Sequence, residues 1–347
     1  MKIGDQVIGD DCPPMIVAEM SANHNQSLDR ALEIVDAAAK AGVDALKLQT
    51  YKADTMTLDI EEGEFLISNP NSLWKGKSLY KLYQEAYTPW EWHEPIFERC
   101  RRHGLIGFST PFDETAVDFL EKLDIPGYKI ASFELIDLPL IKYVAGTGKP
   151  MILSTGLANA EEIQEAIDVA RGGGCKELAI LHCVSGYPAP AGDYNLRVIP
   201  DMIERFGLVT GLSDHTLDNT TAITSIAMGA SIIEKHFTLD RRGGGPDDSF
   251  SLEPDELKKL CKDSKTAWES LGKANYEIKK SEQQNLIFRR SLYVVQDIKS
   301  GEIITQENVK IIRPGYGLAP KFIEQVMGRM VLHDINRGKP LSLEDLK

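Results

Sequence analysis

The sequence has no long apolar run, no excess of basic residues and no secretion signal, and each absence excludes a class of protein. No segment of the 347 residues approaches the roughly 18 consecutive apolar residues that span a membrane. Acidic residues outnumber basic residues by 52 to 39, and a net charge of −13 argues against nucleic acid as a partner. The opening MKIGDQVIGDD lacks the basic and apolar regions of a signal peptide. We therefore expect a cytoplasmic protein with no membrane or nucleic-acid partner.

The cysteines give the same indication about compartment. They number five, are scattered along the chain and form no CxxC motif. Disulfide-bonded secreted domains and zinc ribbons use cysteines in pairs at short, regular spacings. An odd, scattered set is typical of reduced thiols, so the sequence predicts neither disulfides nor a cysteine-based metal site.

Eight short apolar segments recur within the first 237 residues, with amphipathic segments between them. They are MIVAEM (15–20), ALKLQT (45–50), LIGFST (105–110), GYKIAS (127–132), MILSTG (151–156), LAILHC (178–183), LVTGLSD (208–214) and IIEKHF (232–237). Segments that are apolar throughout are typical of parallel strands buried on both faces. Most of them end 22 to 31 residues apart, the size of one βα unit. Eight such units predict an α/β fold, a (β/α)8 TIM barrel. The rival Rossmann fold needs a GxGxxG after its first strand, and the sequence there is AEMSANHNQSLD.

The remaining sequence divides into an insertion and a second domain. Residues 52–88 lie in the one long gap, after the second strand, and loops at that position help to form the substrate pockets of barrels; the alternative is a plain surface loop. We predict a barrel over 1–272, a linker over 273–285 and a small β-rich domain over 286–347. A domain of about 62 residues is close to the lower limit of independent stability, so we expect it to dock on another surface.

Polar side chains concentrate at the carboxyl ends of the predicted strands, which meet at one mouth of a barrel. Lys47 and Lys129 would attract an anion, and Ser132, Ser154 and Ser213 would donate hydrogen bonds to phosphate oxygens. The alternative is structural, because a lysine buried in a strand also pairs with a neighbouring carboxylate. Two lysines converging with several hydroxyl groups favour a phosphate site.

His215 and His236 end the seventh and eighth predicted strands, which are neighbours in a barrel. Glu234 and Asp247 are close to them in sequence. Two imidazoles at adjacent strand ends favour a divalent first-row metal such as Mn2+. The alternative is a pair of structural histidines, and the sequence does not identify the ion.

Several longer motifs resemble the sialic acid synthase family over essentially the whole chain. They are AEMSANHNQSLDRALEIVDAAAKAGVDALKLQTY (18–51), STPFD (109–113), YKIASFE (128–134), ILSTG (152–156), LHCVSGYPAP (181–190), GLSDHTLD (211–218) and EKHFTLDRRGGGPDDSFSL (234–252). RPGYGLAPKF (313–322) resembles that family's C-terminal antifreeze-like (SAF) domain. The resemblance implies a barrel with an appended SAF domain, and an enzyme that condenses phosphoenolpyruvate and water with the open-chain aldehyde of an N-acetylated amino sugar. The products are a nine-carbon 2-keto acid and phosphate, released by C–O cleavage.

The resemblance also implies roles for individual residues. The set that binds substrate or acts on it is Glu19, Lys47, Gln49, Thr110, Lys129, Ser132, Ser154, Tyr187, Ser213, Glu234, Asp247 and Arg313. Glu19 is the candidate base that activates water. His215 and His236 would hold the metal, Mn2+ first and Mg2+ or Co2+ as alternatives. Arg313 would reach the active site of the other subunit of a domain-swapped homodimer, where it contacts the N-acetyl group.

Within the family, the chain looks more like the pseudaminic acid synthases than the N-acetylneuraminate synthases. The segments that carry this likeness are LWKGKSLYKLYQEAYTPWEWH (73–93), RRSLY (289–293) and RPGYGLAPKF. Where the neuraminate enzymes typically read AEIGINHEG, this chain reads AEMSANHNQ. The implied sugar is 2,4-diacetamido-2,4,6-trideoxy-L-altrose and the implied product pseudaminic acid. Neuraminate or legionaminate synthesis from another N-acetylated sugar is the alternative.

Two readings outside this family stay open at this point. A heptulosonate-type synthase would share the barrel and the phosphoenolpyruvate site, but it would lack the appended domain. A carbohydrate- or ice-binding protein would explain the small domain without chemistry. The lysines, serines and histidines at the barrel mouth argue against a pure binder, and phosphate release from phosphoenolpyruvate discriminates the two classes.

Overall fold

The computed structural model describes residues 1–70 and 72–347, which form two compact units, Met1–Gly272 and Lys273–Lys347. Ten strands lie in the first unit: β1 Lys2–Ile3, β2 Gln6–Val7, β3 Met15–Glu19, β4 Ala45–Thr50, β5 Ile106–Pro111, β6 Tyr128–Ile130, β7 Met151–Ser154, β8 Leu178–Cys183, β9 Val209–Asp214 and β10 Ile232–His236. In the described part of the chain, no helix combines the length and the apolar character that crossing a membrane requires.

Strands β3 to β10 form a closed parallel barrel in which neighbours in sequence are neighbours in space, and β10 pairs with β3 to close the ring. All five residues of β3 are buried, because the barrel interior covers one face of the strand and the surrounding helices cover the other. The predicted TIM barrel is confirmed, with strand bounds within a few residues of the apolar segments.

The described part of the same unit contains ten α-helices: α1 Leu28–Ala41, α2 Ala53–Met56, α3 Leu79–Ala86, α4 His93–His103, α5 Glu114–Lys122, α6 Leu138–Ala145, α7 Ala160–Gly172, α8 Val198–Phe206, α9 Thr220–Ala227 and α10 Pro254–Leu271. Local sequence fixes several of their ends. The Ser27 side chain caps the start of α1, and Gly42 ends it with a φ of 92°, a backbone conformation that favours glycine. Asn159 caps α7, and Glu162 completes its capping box.

The amino-terminal end of the barrel is plugged by apolar side chains. The hairpin of β1 and β2 brings Ile3 and Ile8 against Met15 and Phe108, all four of them buried. Water is therefore excluded from that end, while the polar residues of the strands lie at the other. This division leaves the carboxyl-terminal mouth as the place where the barrel can hold a polar ligand.

The insertion after β4 has secondary structure of its own. Helices α2 and α3 lie in it, and Ser78 caps α3. Gln26, in the loop after β3, donates hydrogen bonds to the carbonyl oxygens of Glu85 (3.0 Å) and Tyr87 (2.7 Å). These bonds attach the end of the insertion to the first loop of the barrel mouth.

The second unit contains β11 Ser291–Val294 and β12 Val309–Ile312, which pair antiparallel, and helix α11 Ile323–Val326. Its small core gathers apolar side chains from the whole segment: Leu292, Val294, Ile298, Ile304, Val309, Val326, Val331, Ile335, Leu341 and Leu346. Residues 271–290 are exposed throughout, and a 3-10 helix over Lys280–Phe288 overlaps the predicted linker.

Candidate active site

The strand register brings the predicted polar residues to one level of the barrel. His236 of β10 pairs with Glu19 of β3, and Glu19 pairs with Lys47 of β4. On its other edge β10 pairs with β9, where Glu234 lies opposite Ser213. Residues remote in sequence therefore surround one space at the mouth because parallel strands end on the same side.

Two lysines and two glutamates form a buried ionic cluster there. The Nζ atom of Lys47 lies 2.5 Å from Oε2 of Glu19 and 3.7 Å from Oε1 of Glu234. The Nζ atom of Lys129 lies 3.4 Å from the same Glu234 oxygen. Each lysine thus pairs with a carboxylate, as the structural alternative in the sequence analysis predicts. The cluster is also the densest grouping of paired charge at the mouth, and its four formal charges cancel.

Burial and pairing shift the pKa values of these groups in different directions. Burial raises the pKa of Glu19 although Lys47 opposes the shift. Burial lowers the pKa of Lys129. Burial also opposes the charged forms of Lys47 and Glu234, but their ionic partners outweigh it, so the pKa of Lys47 is raised and that of Glu234 is lowered. Glu19 is therefore the member of the cluster most ready to take up a proton.

Hydroxyl groups line the space beside the lysines. Thr110 Oγ1 accepts a hydrogen bond of 3.2 Å from Lys47, and Ser213 donates one of 3.3 Å to Glu234. Ser132 Oγ accepts the Gly156 N–H at 3.1 Å. The Oγ atom of Ser154 is buried and has no partner among the described residues. Buried hydroxyls without partners are rare in proteins, so the Ser154 hydroxyl is available to a ligand or to a water molecule.

Gly156 keeps this hydroxyl cradle open. A Cβ atom at that position would lie 2.3 Å from Ser185 Oγ and 2.8 Å from Ser132 Oγ, so no other residue fits without displacing them. Ser185 Oγ is also buried and unpartnered among the described residues. The cradle therefore contains at least two hydroxyls, those of Ser154 and Ser185, that are free to donate to an anion such as phosphate. Sequence reasoning missed Ser185, which lies in the loop after β8.

His215 and His236 face each other as predicted, with ring centroids 5.4 Å apart. His215 Nδ1 lies 2.9 Å from the Val184 carbonyl oxygen, and the His215 side chain also forms a hydrogen bond with Cys183. His236 Nδ1 is buried and has no partner in the described structure. Burial lowers the pKa of His236 well below its usual value, so the ring is neutral as a metal ligand must be.

The two imidazoles fit a divalent metal with an incomplete protein shell. Among the described residues, no three His, Cys, Asp or Glu side chains lie together as a metal-binding group, so a metal held by the two imidazoles would take its other ligands from outside that set of side chains. Burial opposes a charge on His215, yet Cys183 and Glu234 raise the pKa of His215 above its usual value. A raised pKa favours the protonated imidazolium, so a metal bound at His215 would have to displace that proton. Glu234, near the histidines in sequence, is bound to the two lysines instead.

Aromatic side chains surround the histidines on the open side. The Tyr187 ring lies 4.4 Å from that of His215, and Phe250 lies 5.0 Å from His236. Trp74, from the insertion, lies 6.2 Å from Tyr187 and donates its indole N–H to the Pro246 carbonyl at 3.0 Å. The insertion therefore reaches the mouth, where it contributes an aromatic wall. The wall consists of Trp74, Tyr187 and Phe250, and the ring of the predicted site residue Tyr187 lies 4.4 Å from His215 and 6.0 Å from His236.

The loop that carries Asp247 is held down by its neighbour. The buried Asp248 carboxylate accepts hydrogen bonds from Asn25 at 2.9 Å, from the Gly245 N–H at 2.8 Å and from Thr238. A Cβ atom at Gly245 would lie 1.9 Å from Asn25 Oδ1, so the glycines of this loop permit close approach of two loops. Asp247 itself accepts a hydrogen bond from Ser21 Oγ.

Gln49 connects the ionic cluster to the loop that carries Asp247. Its Nε2 atom donates to Glu19 Oε1 at 3.1 Å and to Ser21 Oγ at 3.0 Å. Together with Ser21, it links the ionic cluster to Asp247. The structure thus brings together all the predicted site residues of the barrel. Arg313 belongs to the second unit, where it is exposed and forms no ion pair with any described residue.

Glu134 is a further site residue that sequence reasoning missed. It follows Ser132 after β6, and its Oε2 atom is buried without a partner among the described residues. Burial raises its pKa to about 7, although Lys129 opposes the shift. A carboxyl group that titrates near neutral pH is suited to proton transfer. The YKIASFE motif contains it, but the pattern of strand ends does not mark it.

A separate groove lies at the other end of the barrel. It has a volume of about 800 Å³ and is lined at the amino-terminal end by residues such as Gln6, Asp44, Arg101 and His103. In the described structure, no buried and unpartnered side-chain atom belongs to its lining. The carboxyl-terminal mouth has Ser154, Ser185, Glu134, Glu234 and His236 with such atoms, so we assign the site to the mouth.

The sequence matches two known protein families. The NeuB family profile matches residues 34–276, and the SAF domain profile matches residues 289–347. The chain belongs to the NeuB family. It is 40% identical to a pseudaminic acid synthase of Campylobacter jejuni, with each chain fully covered. It is 42% identical to a pseudaminic acid synthase of Helicobacter pylori, over 96% of this chain and 98% of that protein.

Other family members are more distant. An N,N'-diacetyllegionaminic acid synthase of Campylobacter jejuni is 35% identical over 91% of this chain and 95% of its own. Among solved structures, an N-acetylneuraminic acid synthetase of Leptospira borgpetersenii, in complex with citrate, aligns with a TM-score of 0.73 and 31% identity. The alignment covers 82% of this chain and 94% of the Leptospira chain. The family and the SAF domain expected from the motifs are confirmed.

Proposed function

We propose that this NeuB-family chain is a pseudaminic acid synthase. In this reaction phosphoenolpyruvate, water and 2,4-diacetamido-2,4,6-trideoxy-L-altrose give pseudaminic acid and phosphate. The observation that carries the proposal is the pair of buried lysines beside unpartnered serine hydroxyls, next to two facing histidines. The identity of 40–42% with two pseudaminic acid synthases supports the choice of sugar.

Phosphoenolpyruvate would bind at the lysine end of the mouth. Its phosphate would accept hydrogen bonds from Ser132, Ser154, Ser213 and the backbone around Gly156, and its charges would face Lys47 and Lys129. Hydrogen bonds between ions are the strongest available for such an anion. Thr110 and Gln49 would complete the polar surroundings of the substrate carboxylate.

The reaction forms a carbon–carbon bond and then breaks a carbon–oxygen bond. The C3 carbon of phosphoenolpyruvate attacks the sugar aldehyde carbon, and the aldehyde oxygen takes up a proton. The C2 carbon becomes an oxocarbenium ion, and water adds to it and gives up a proton, so that C2 carries a hydroxyl group and the phosphate. The C2–O bond to phosphate then breaks as the hydroxyl loses its proton and becomes the keto group, and phosphate leaves with the bridging oxygen. Enclosure at the base of the mouth protects the reactive intermediate.

Glu19 is the group best placed to accept the proton from water. In the free protein Lys47 neutralises it at 2.5 Å. An incoming anion competes for Lys47, which leaves the Glu19 carboxylate less neutralised and more basic. Burial, which already raises the pKa of Glu19, strengthens this effect. Glu134 is the second group near the mouth able to exchange a proton, because its pKa is about 7.

His215 and His236 would hold a divalent metal, Mn2+ first and Mg2+ or Co2+ as alternatives. Such a metal supplies Lewis-acid polarisation of the sugar aldehyde. The Val184 carbonyl fixes the tautomer of His215, and Tyr187 packs against its ring at 4.4 Å. These contacts orient the two imidazoles whatever ion they bind.

The aromatic wall of Trp74, Tyr187 and Phe250 supports a 6-deoxy sugar. A methyl group at C6 gains contact with aromatic rings, whereas a hydroxyl group there would lose hydrogen bonds to water. Selection of this kind is limited to about 10–200-fold, because one small group carries it. Asp247 would bind a polar group of the sugar at the same end.

The SAF domain would act in trans in a domain-swapped homodimer. Residues 271–290 are exposed throughout and include Tyr276, Ile278 and Phe288, an apolar surface that a second copy of the chain would cover. Arg313 is exposed and without an ion pair among the described residues, so its guanidinium is available to an amide carbonyl of the sugar. Five free thiols support a cytoplasmic location.

Sugar-dependent phosphate release tests the proposal. The purified protein is assayed with phosphoenolpyruvate, Mn2+ and either the L-altrose derivative, its legionaminate-type counterpart or N-acetylmannosamine. We expect the highest kcat/KM with the L-altrose derivative, by about 10–200-fold over N-acetylmannosamine. Equal kcat/KM values would overturn the sugar assignment. Phosphate release that does not depend on any sugar would overturn the reaction.

A further inference from the structure

Ser21 has a backbone conformation that its side chain does not favour. Ser21 lies two residues after the end of β3, its φ is 47°, and its side chain is 2% exposed. That φ lies in the left-handed region, which glycine adopts freely and L-residues adopt at a cost. Strained residues of this kind cluster at functional sites, where the surrounding structure holds them. The position of Ser21 at the barrel mouth fits that pattern.

The Ser21 hydroxyl has two partners, and both face the mouth. Its oxygen accepts a hydrogen bond from Gln49 Nε2 at 3.0 Å, so its proton is free to be donated to Asp247 Oδ2. Gln49 in turn donates to Glu19 Oε1 at 3.1 Å. The direction of donation is therefore set along the series from Gln49 to Ser21 to Asp247. A glycine would relieve the backbone but would break this series.

We infer that Ser21 is a positioning residue that fixes the Asp247 carboxylate for the sugar, and thereby contributes to sugar selectivity. The inference rests on the proposed function, because Asp247 is assigned there to the sugar end of the mouth. Ser21 occupies one lone pair of Oδ2 and the Ala22 N–H provides a second bond to the same carboxylate. A carboxylate has about four acceptor sites, so sites remain for a hydroxyl or amide of the sugar.

Two substitutions separate the hydroxyl from the backbone. Ser21→Ala removes the hydroxyl and keeps a side chain at a φ of 47°, whereas Ser21→Gly removes both the hydroxyl and the strain. We expect both variants to raise the KM for the sugar and to lower kcat/KM by roughly 10–100-fold, the range for a hydrogen bond to a charged group. The KM for phosphoenolpyruvate should stay at the wild-type value. The melting temperature of Ser21→Gly should exceed that of Ser21→Ala.

A double-mutant cycle tests whether Ser21 acts through Asp247. Asp247→Asn alone should impair sugar use, and adding Ser21→Gly to it should cause little further loss. A full additional loss in the Asn background would show that Ser21 acts independently and would overturn the inference. Wild-type kcat/KM for the sugar in Ser21→Gly would overturn it as well.

Crystal structures of the wild type and of Ser21→Gly give a readout that needs no turnover. We expect the Asp247 carboxylate to be fixed in the wild type and to adopt a different or a second orientation in the variant. An unmoved carboxylate would contradict the positioning role even if the proposed reaction were wrong. Absence of sugar-dependent turnover in the wild type would, by contrast, count against the proposed function alone.

Discussion

Replacing Glu19 with glutamine separates its role as a base from its role as an ionic partner. Glutamine keeps the shape of the side chain and one acceptor oxygen, but it removes the charge that faces Lys47 at 2.5 Å. As a general base, Glu19 should be worth about 10²–10⁴-fold in kcat. As a structural partner, its loss should appear mainly as reduced stability.

The surrounding charges limit the expected loss of stability. Removing one member of a buried ion pair costs about 3–5 kcal/mol when the other charge is left alone. Here Glu234 remains 3.7 Å from Lys47. The glutamine also retains a hydrogen-bonding oxygen, so we expect a smaller loss of about 1–3 kcal/mol in the free energy of unfolding. That corresponds to a few degrees in melting temperature for a barrel of this size.

The assay measures phosphate release under single-turnover and steady-state conditions, with thermal unfolding measured in parallel. Asp44→Asn serves as the matched control, since Asp44 Oδ2 accepts the Ile16 N–H at 2.7 Å at the opposite end of the barrel. The control should lose stability and keep kcat. Glu19→Gln should bind both substrates and lose most turnover. A Glu19→Gln variant that is destabilised like the control but turns over near the wild-type rate would refute the assignment of Glu19 as the base.

Three further predictions follow from the same site. His215→Ala or His236→Ala should abolish retention of divalent metal, measured by elemental analysis, together with turnover; a chelated double variant with normal turnover would contradict the metal site. The pKa of Glu134 is about 7 in the folded protein against 4.5 for a free glutamate, so the unfolded state binds the proton less tightly and the free energy of unfolding should fall by roughly 3 kcal/mol as pH rises from about 4.5 to 7. Urea titrations at several pH values should show a weaker pH dependence of this free energy in Glu134→Gln. The same pH dependence in the variant and the wild type would contradict the raised pKa of Glu134. Mixing Arg313→Ala with Glu19→Gln subunits should restore activity after exchange, because a swapped heterodimer has one intact site; no recovery would place Arg313 in its own subunit's site or outside any site.

The sequence predicted the barrel and most of its site because both depend on periodic signals. Eight apolar segments of strand length mark β3 to β10, and each polar residue at a segment end lies at the mouth by virtue of parallel pairing. His215 and His236 could be paired in this way before the structure was known.

The remaining features depend on contacts that no local pattern encodes. Ser21 and Asp247 are 226 positions apart, and neither the left-handed φ of Ser21 nor its hydrogen bond follows from the letters around it. Trp74 reaches Tyr187 only because the insertion folds back over the mouth. Ser185 lies in the loop after β8 and Glu134 in a short 3-10 helix after β6, both beyond the segment ends that the apolar pattern marks. Ser185 and Glu134 stand out because a side-chain oxygen of each is buried without a partner in the described structure, and that property depends on the tertiary fold.

The central claim is that the barrel mouth joins phosphoenolpyruvate to a sugar aldehyde with cleavage of the C–O bond. Phosphoenolpyruvate labelled with oxygen-18 at the bridging position tests it most directly. After reaction with the L-altrose derivative, mass spectrometry of both products locates the label. We predict that all of the bridging label appears in phosphate and that a nine-carbon keto acid forms without it. Label retained in the keto acid, or phosphate released without any keto acid, would contradict the account.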